Sequence, residues 1–154
     1  MPTAQQRGAR AAGEIGRDCL AVRVRLLSRT ITRIYDAALR PHGLTIAQLN
    51  LLTSVASWQP ARAGDIARLL SMEISTLSRN AHLLHEAGLL EVEHAEHGNG
   101  RVLSITDAGA ERLEQLRPAW RAAQERAREL LGEDASRSIT RLGDRMFGDP
   151  PTAG

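Results

Sequence analysis

Residues Gly64–Thr106 read GDIARLLSMEISTLSRNAHLLHEAGLLEVEHAEHGNGRVLSIT, and three changes of pattern divide this stretch. Ile66, Ala67, Leu69 and Leu70 give a short helix over Gly64–Leu70. Three or four residues later a second helix begins near Glu73 and runs to Ala87, with Gly88 placed to end it in a left-handed conformation. Leu89–His94 then alternates apolar and polar, the turn His97-Gly98-Asn99-Gly100 follows, and Arg101–Ile105 is a second β-prone run. Two short helices joined by so few residues form a helix-turn-helix. With the hairpin directly after it, the unit is a winged helix-turn-helix.

On a helical wheel, Ile74, Leu77, Ala81, Leu84 and Gly88 of the second helix cluster on one side and are expected to pack inward. The opposite side carries Ser75, Arg79, His82 and Glu86, with Thr76 and Ser78 on its flanks. Short hydroxyls let a backbone approach a duplex closely, a helix N-terminus favours phosphate, and arginine reaches guanine edges or phosphate. The same face is also what an ordinary solvated helix presents, and Glu73 and Glu86 oppose an anionic partner. The order of elements, with an arginine near the end of the hairpin, favours double-stranded DNA.

Outward from this lobe, apolar residues at Leu20, Val24, Leu27, Ile31, Ile34 and Ala38 mark a first helix after Asp18, stopped by Pro41-His42-Gly43. It is long for a small domain, so part of its stripe is expected to meet something other than its own core. Thr45-Ile46-Ala47-Gln48 is a capping box that opens the next helix, with Leu49, Leu52, Val55 and Ala56 inward and Gln59-Pro60 closing it. Thr106 caps a long helix with Leu113, Leu116, Trp120, Ala123, Ala127 and Leu130 apolar, and Pro118 is expected to kink or split it. Gly132 ends it, and a last helix over about 134–146 turns Ile139, Leu142 and Met146 inward. Residues 1–16 read as a flexible arm and 148–154 as a flexible tail.

The expected fold is therefore mainly α with a small β-hairpin wing: a DNA-binding lobe over 45–106, flanked by long helices over 17–44 and 107–147. The core must be aliphatic, because aromatic residues make up only 3% of the 154. All 20 basic residues are arginine, which suits phosphate and narrow grooves but equally follows from a composition rich in Arg and Ala. One cysteine, Cys19, excludes an internal disulfide framework and fits a reducing cytoplasm. No apolar run approaches the roughly 20 residues needed to cross a bilayer. No nucleophile elbow, phosphate loop or carboxylate pair points to an enzyme, and no cofactor is implied. His82 with His85 and His94 with His97 are spaced by three, but without cysteine or dedicated carboxylate partners they read as surface residues, not metal ligands.

Leu69–Gly109 resembles the multiple-antibiotic-resistance-regulator (MarR) family of bacterial transcription factors. Ile66–Asn80 matches the family's LA-x-x-L…[ST]-x-[TS]-R signature, His85-Glu86-Ala87-Gly88-Leu89-Leu90 its LE-x-x-GL-[IV] stretch, and Leu103–Gly109 its L-x-LT-x-x-G. Tyr35–Leu39 and Leu44–Gln48 are similar to its first helix and the start of its second, so the likeness spans about residues 18–147. The resemblance implies a homodimer whose base is formed by dimerisation helices over 17–44 and 107–147, with two recognition helices entering major grooves about 10 base pairs apart on a pseudo-palindromic operator. It implies a regulator, usually a repressor, released by a small aromatic or lipophilic ligand or by an oxidant. DNA contacts then fall to Ser75, Thr76, Ser78, Arg79 and His82, with Asn99 and Arg101 on the wing. Many members carry Asp-x-Arg at the wing tip, and the acid is missing here.

For ligand release, the resemblance places a pocket between the dimer base and the DNA-binding lobe. Tyr35, His42 and Trp120 are its candidate lining, and equally candidate core or interface residues. For oxidation, Cys19 near Arg17 and Arg23 is the candidate, although the sensing cysteine of the organic-hydroperoxide branch aligns with Ala21. The alternative to a regulator is a winged-helix dimer that serves mainly as a protein-interaction module with weak DNA binding.

Overall fold

The computed structural model describes residues 1–95 and 100–147. Asn99, most of the expected wing turn and the expected tail lie outside them. The chain divides into two units, Met1–Arg33 and Ile34–Gly154.

The first unit contains helix α1 (Ala4–Asp18) and the larger part of α2 (Leu20–Leu39). Residues expected as a flexible arm are thus helical. The start is set by a capping box in which Gln6 N–H donates to Thr3 Oγ1 at 3.2 Å and Thr3 N–H to Gln6 Oε1 at 2.8 Å. Gly8, Gly13 and Gly16 in a run of small residues hide this helix from an apolar-periodicity reading. No residue of this unit is buried, and Leu20, Val24 and Leu27 are all exposed.

In the second unit a one-turn 3-10 helix, Arg40–His42, follows α2. Then come α3 (Ile46–Trp58), β1 (Ala61–Arg62), α4 (Ala63–Leu69), α5 (Ile74–Glu86), β2 (Leu90–His94), β3 (Arg101–Ile105), α6 (Asp107–Leu131) and α7 (Glu133–Phe147). Thr45 and Gln48 form the expected capping box on α3, and the Asp36 carboxylate accepts a further N–H of its first turn, Ile46 N at 2.8 Å. The core is aliphatic throughout: Leu39, Leu51, Leu52, Val55, Ile66, Leu77, Leu84, Leu90, Leu103 and Leu116 are each fully buried. Among the described residues no polar or charged residue is buried.

Two helix ends set the lobe. After α4, Met72 N–H bonds the Ala67 carbonyl at 2.8 Å and Ser71 N–H the Arg68 carbonyl at 3.1 Å, a Schellman turn with Ser71 at φ 49°. After α5, Leu89 N–H bonds the Leu84 carbonyl at 2.9 Å and Gly88 N–H that of His85 at 2.8 Å, with Gly88 at φ 72°. The strands form an antiparallel sheet in the order β1-β3-β2, pairing Ala61 with Leu103, and Leu90 with Ile105 through His94 with Arg101. The two-residue β1 was not expected from sequence. Gln59 Oε1 continues that edge by accepting Ile105 N–H at 3.1 Å.

At the start of α6, Thr106 Oγ1 donates to the Gly88 carbonyl at 2.7 Å and accepts Gly109 N–H at 3.0 Å. A Cβ on Gly109 would stand 2.7 Å from Ile105 Cγ1 and closer still to the Leu89 carbonyl oxygen. Helix α6 passes Pro118 as one 25-residue element, so the expected split does not occur. Pro118 lies on an exposed face, where the carbonyl it leaves unpaired reaches water. Leu116, Ala123 and Ala127 are buried as expected, but Trp120 is 39% and Leu130 57% exposed. On α7, Ile139, Leu142 and Met146 were expected inward and are 43%, 47% and 72% exposed, because no described segment covers that face. No helix among the described residues is long and apolar enough to cross a membrane.

The close approach at Gly109 yields a stability prediction. Gly109→Ala forces the α5–β2 turn and the start of α6 apart, and urea denaturation is expected to show a loss of about 2 kcal/mol. Gly64→Ala, in an exposed position with open space around its Cβ, serves as control and should lose none.

Candidate nucleic-acid interface

Helix α5 is held by Leu77, Ala81 and Leu84, which are buried at i, i+4 and i+7. This fixes Ser75, Arg79, His82 and Glu86 on the outward face, all exposed, with Thr76 and Ser78 half-buried at its flanks. The six recognition-helix residues thus share one element, and five of them, all but Glu86, are the expected DNA contacts. Glu73 is the N-cap but its side chain makes no capping bond, so the first-turn N–H groups of Ile74, Ser75 and Thr76 keep their donors for an outside acceptor. Asn80 is turned back on its own helix, donating to the Thr76 carbonyl at 3.1 Å. His85 is also committed, with Nδ1 at 2.9 Å from the Leu90 carbonyl.

Arg101 is the first residue of β3, opposite His94, and is exposed. Ala95 N–H bonds the Gly100 carbonyl at 2.8 Å, extending the ladder by one bond beyond that pair. Arg101 therefore sits on the strand at the base of the wing turn. Arg62, which the sequence reading did not single out, is exposed on β1 and pairs with Val102 beside it. Its only sequence signal would have been strand character in Ala61-Arg62, and two residues are too few to show a period. Arg68, also exposed, is tied to Asp65 one turn before it.

Residues 44–102 match the sequence model of the MarR family. Over those residues the chain is similar to the MarR family. No curated protein matches the chain in sequence. Among solved structures it is similar to the M. tuberculosis transcriptional regulator MosR in complex with DNA, at 27% identity and TM-score 0.69, covering 84% of this chain and 96% of that one. The fold is also that of a mutant MarR from E. coli complexed with operator DNA, at 18% identity and TM-score 0.73, covering 86% and 96%. AbsC, a MarR family transcriptional regulator from Streptomyces coelicolor, is 22% identical with TM-score 0.65, covering 96% and 92%. MosR and AbsC are transcriptional regulators.

The segment Ile105-Thr106-Asp107-Ala108-Gly109 follows the matched residues and has a structural reason. Thr106 caps α6 while bonding the end of α5, and Gly109 leaves room for the Leu89 carbonyl.

The three candidate pocket residues all meet or belong to α6. The Tyr35 hydroxyl donates to Gln124 Oε1, and the His42 carbonyl accepts from Arg112 Nη2 at 2.5 Å. Twelve residues of helix separate those two anchor points, about 18 Å along the axis, so Tyr35 and His42 do not line one small cavity. Trp120 lies one turn from Gln124. Cys19 is a free, half-buried thiol at the junction of α1 and α2, and its N–H closes α1 on the Ile15 carbonyl at 2.9 Å. Among the described residues no group of three or more His, Cys, Asp or Glu side chains is placed to hold a metal.

Burial raises the Tyr35 phenol above its ordinary value of 10.0, with Arg128 acting in the opposite sense. It is therefore a neutral donor at physiological pH. A raised folded-state value means that the folded chain holds this proton more tightly than the unfolded one. The contribution is complete below pH 10 and is lost as pH rises through the folded value. Tyr35 is the only tyrosine, so ultraviolet titration should give a single phenolate transition whose midpoint falls when the chain is unfolded in urea.

Proposed function

We propose that this chain is a homodimeric DNA-binding repressor that reads a pseudo-palindromic operator through α5, with the wing strand following the adjacent groove or backbone. The outward face of α5 carries this reading: Ser75, Arg79 and His82 are exposed together on a helix whose other side is locked into the core. Hydroxyls and a guanidinium at the N-terminal half of such a helix supply base-edge and phosphate donors, and its free first-turn N–H groups add more. Arg101 and Arg62 on neighbouring strands are placed to hold the duplex by its phosphates.

Two-fold pairing is supported by the apolar side chains that the second unit leaves uncovered. Ile139, Leu142 and Met146 recur at i, i+3 and i+7 on α7, a stripe suited to a second copy. Release follows from a small aromatic or lipophilic ligand, or from oxidation. Tyr35 offers a half-buried phenol donor for the first, and Cys19 a free thiol for the second.

Arg79→Ala is expected to weaken binding to a duplex selected from random DNA by about 1–3 kcal/mol, read by gel-shift titration. Unchanged affinity removes Arg79 from the interface. Replacing both Ile139 and Leu142 by Asp should convert the dimer to monomer in sedimentation velocity, with operator affinity falling in parallel. A dimer that survives this double change rules out α7 as its seam. Calorimetric titration with salicylate and benzoate tests ligand release, and mass spectrometry of Cys19 after peroxide treatment tests the oxidant. Heat of binding in one, or an oxidised thiol with lost DNA affinity in the other, decides between them.

A further inference from the structure

Ile74 does not do what its periodicity assigns to it. It falls within the inward stripe of α5, with Leu77 and Ala81, yet it is 53% exposed while those two are at 0% and 3%. The reason is its position. As the first helical residue it stands at the leading end of α5, where more than half of its side chain stays open to solvent. It lines a shallow hollow with Gly64, Ala67, Ser71 and Met72, and the charged residues Arg68 and Glu73 also border that hollow. The residues that follow are Ser75 and Thr76, short enough not to shield it. An exposed β-branched side chain in this place loses rotamer freedom in the helix and gains nothing from the chain's own core.

We infer that Ile74 is a sequence-determining residue that packs on the C5-methyl group of a thymine in the major groove. The inference rests on the proposed reading of DNA by α5. The N-terminal end of a recognition helix is the part that meets base edges, and the methyl of thymine is the one apolar group the major-groove edges present. Ser75 and Arg79 find donors and acceptors there, whereas a branched hydrocarbon finds only that methyl. Ile74 therefore selects by shape and desolvation at one position of each half-site, beside positions read by hydrogen bonds.

Deoxyuridine tests this directly, because it keeps the pairing edge of thymine and lacks the methyl. Duplexes are first selected from a random pool by the full-length chain, and each thymine of the winner is then replaced singly by deoxyuridine. For the wild type, one replacement per half-site should weaken binding about fourfold, the value of one buried methyl group. Ile74→Ala should bind the unmodified duplex more weakly and be indifferent to that replacement, and Ile74→Val should retain part of the sensitivity. Indifference of the wild type to deoxyuridine at every position overturns the inference while leaving DNA reading by α5 intact. So does an Ile74→Ala variant as sensitive as the wild type. If the wild type enriches no sequence at all, the proposed function fails and this inference with it.

Discussion

The approach of the α6 backbone to the α5–β2 turn is the constraint on which the lobe depends. Gly109 lies so near the Leu89 carbonyl that no side chain fits between them. The same few residues close α5 through Gly88, start the wing at Leu90 and cap α6 through Thr106. Helix α5, the hairpin and α6 are thereby fixed to one another by the hydrogen bonds of the Thr106 hydroxyl and of the backbone and by van der Waals contact, with no long side chain acting as a flexible spacer. Packed junctions of this kind transmit displacement instead of absorbing it. A shift of the first turn of α6 must move the end of α5 or break the Thr106 bonds.

Electrostatics works differently from what the arginine count suggests. Residues 45–106 hold four arginines, at 62, 68, 79 and 101, against six acids, at 65, 73, 86, 91, 93 and 96, which leaves this lobe at −2. Positive charge is concentrated elsewhere, since residues 1–33 contain seven arginines and two acids. In the proposed complex, a lobe of negative net charge would hold a phosphate backbone through the placement of its groups and not through its overall field. There Arg79 on α5, Arg101 and Arg62 on the strands and the open N-terminus of α5 would supply the attraction. Glu91 and Glu93, exposed on β2, penalise approaches in which that strand faces the duplex. The acids thus restrict orientation as the arginines provide affinity.

How much of this was legible in the sequence follows the range of the interactions involved. Thr45 with Gln48, Gly88 at the end of α5 and Thr106 before α6 are local devices whose partners lie within a few residues, and each stands where its motif placed it. Leu77, Ala81 and Leu84 were legible because a helix flanked on one side by the core keeps its period. What failed depended on the ends of elements or on distant chain. Ile74 follows the period but, as the first residue of α5, stays more than half exposed. Strand β1 exists only because Leu103 and Val102 are available across the sheet. Helix α1 starts from a capping box followed by glycines and alanines that show no apolar stripe. The candidate DNA contacts on α5 were readable as a face, while the place of Arg101 on the strand required the register with His94.

The exposed apolar residues of α6 and α7 connect folding to assembly. Helix α7 buries no residue among those described, and α6 contributes only Gly109, Leu116, Ala123 and Ala127 to buried positions along its 25 residues. A 15-residue helix is marginal in water on propensity alone, and most helical stability comes from packing an apolar face. The ion pairs of Arg137 with Glu133 and Asp134 are exposed and contribute at most about 1 kcal/mol. Within one chain, then, α7 lacks the burial that normally holds such a helix in place, while it displays Ile139, Leu142 and Met146 in the spacing that would provide it. In a homodimer those side chains become core, and ordering α7 and joining two copies become one equilibrium. In the proposed homodimer that coupling would reach α5, because α7 follows directly from α6, whose first turn is bonded to the end of α5. The monomer would retain a complete winged lobe and lose the surface that sets the spacing between two of them.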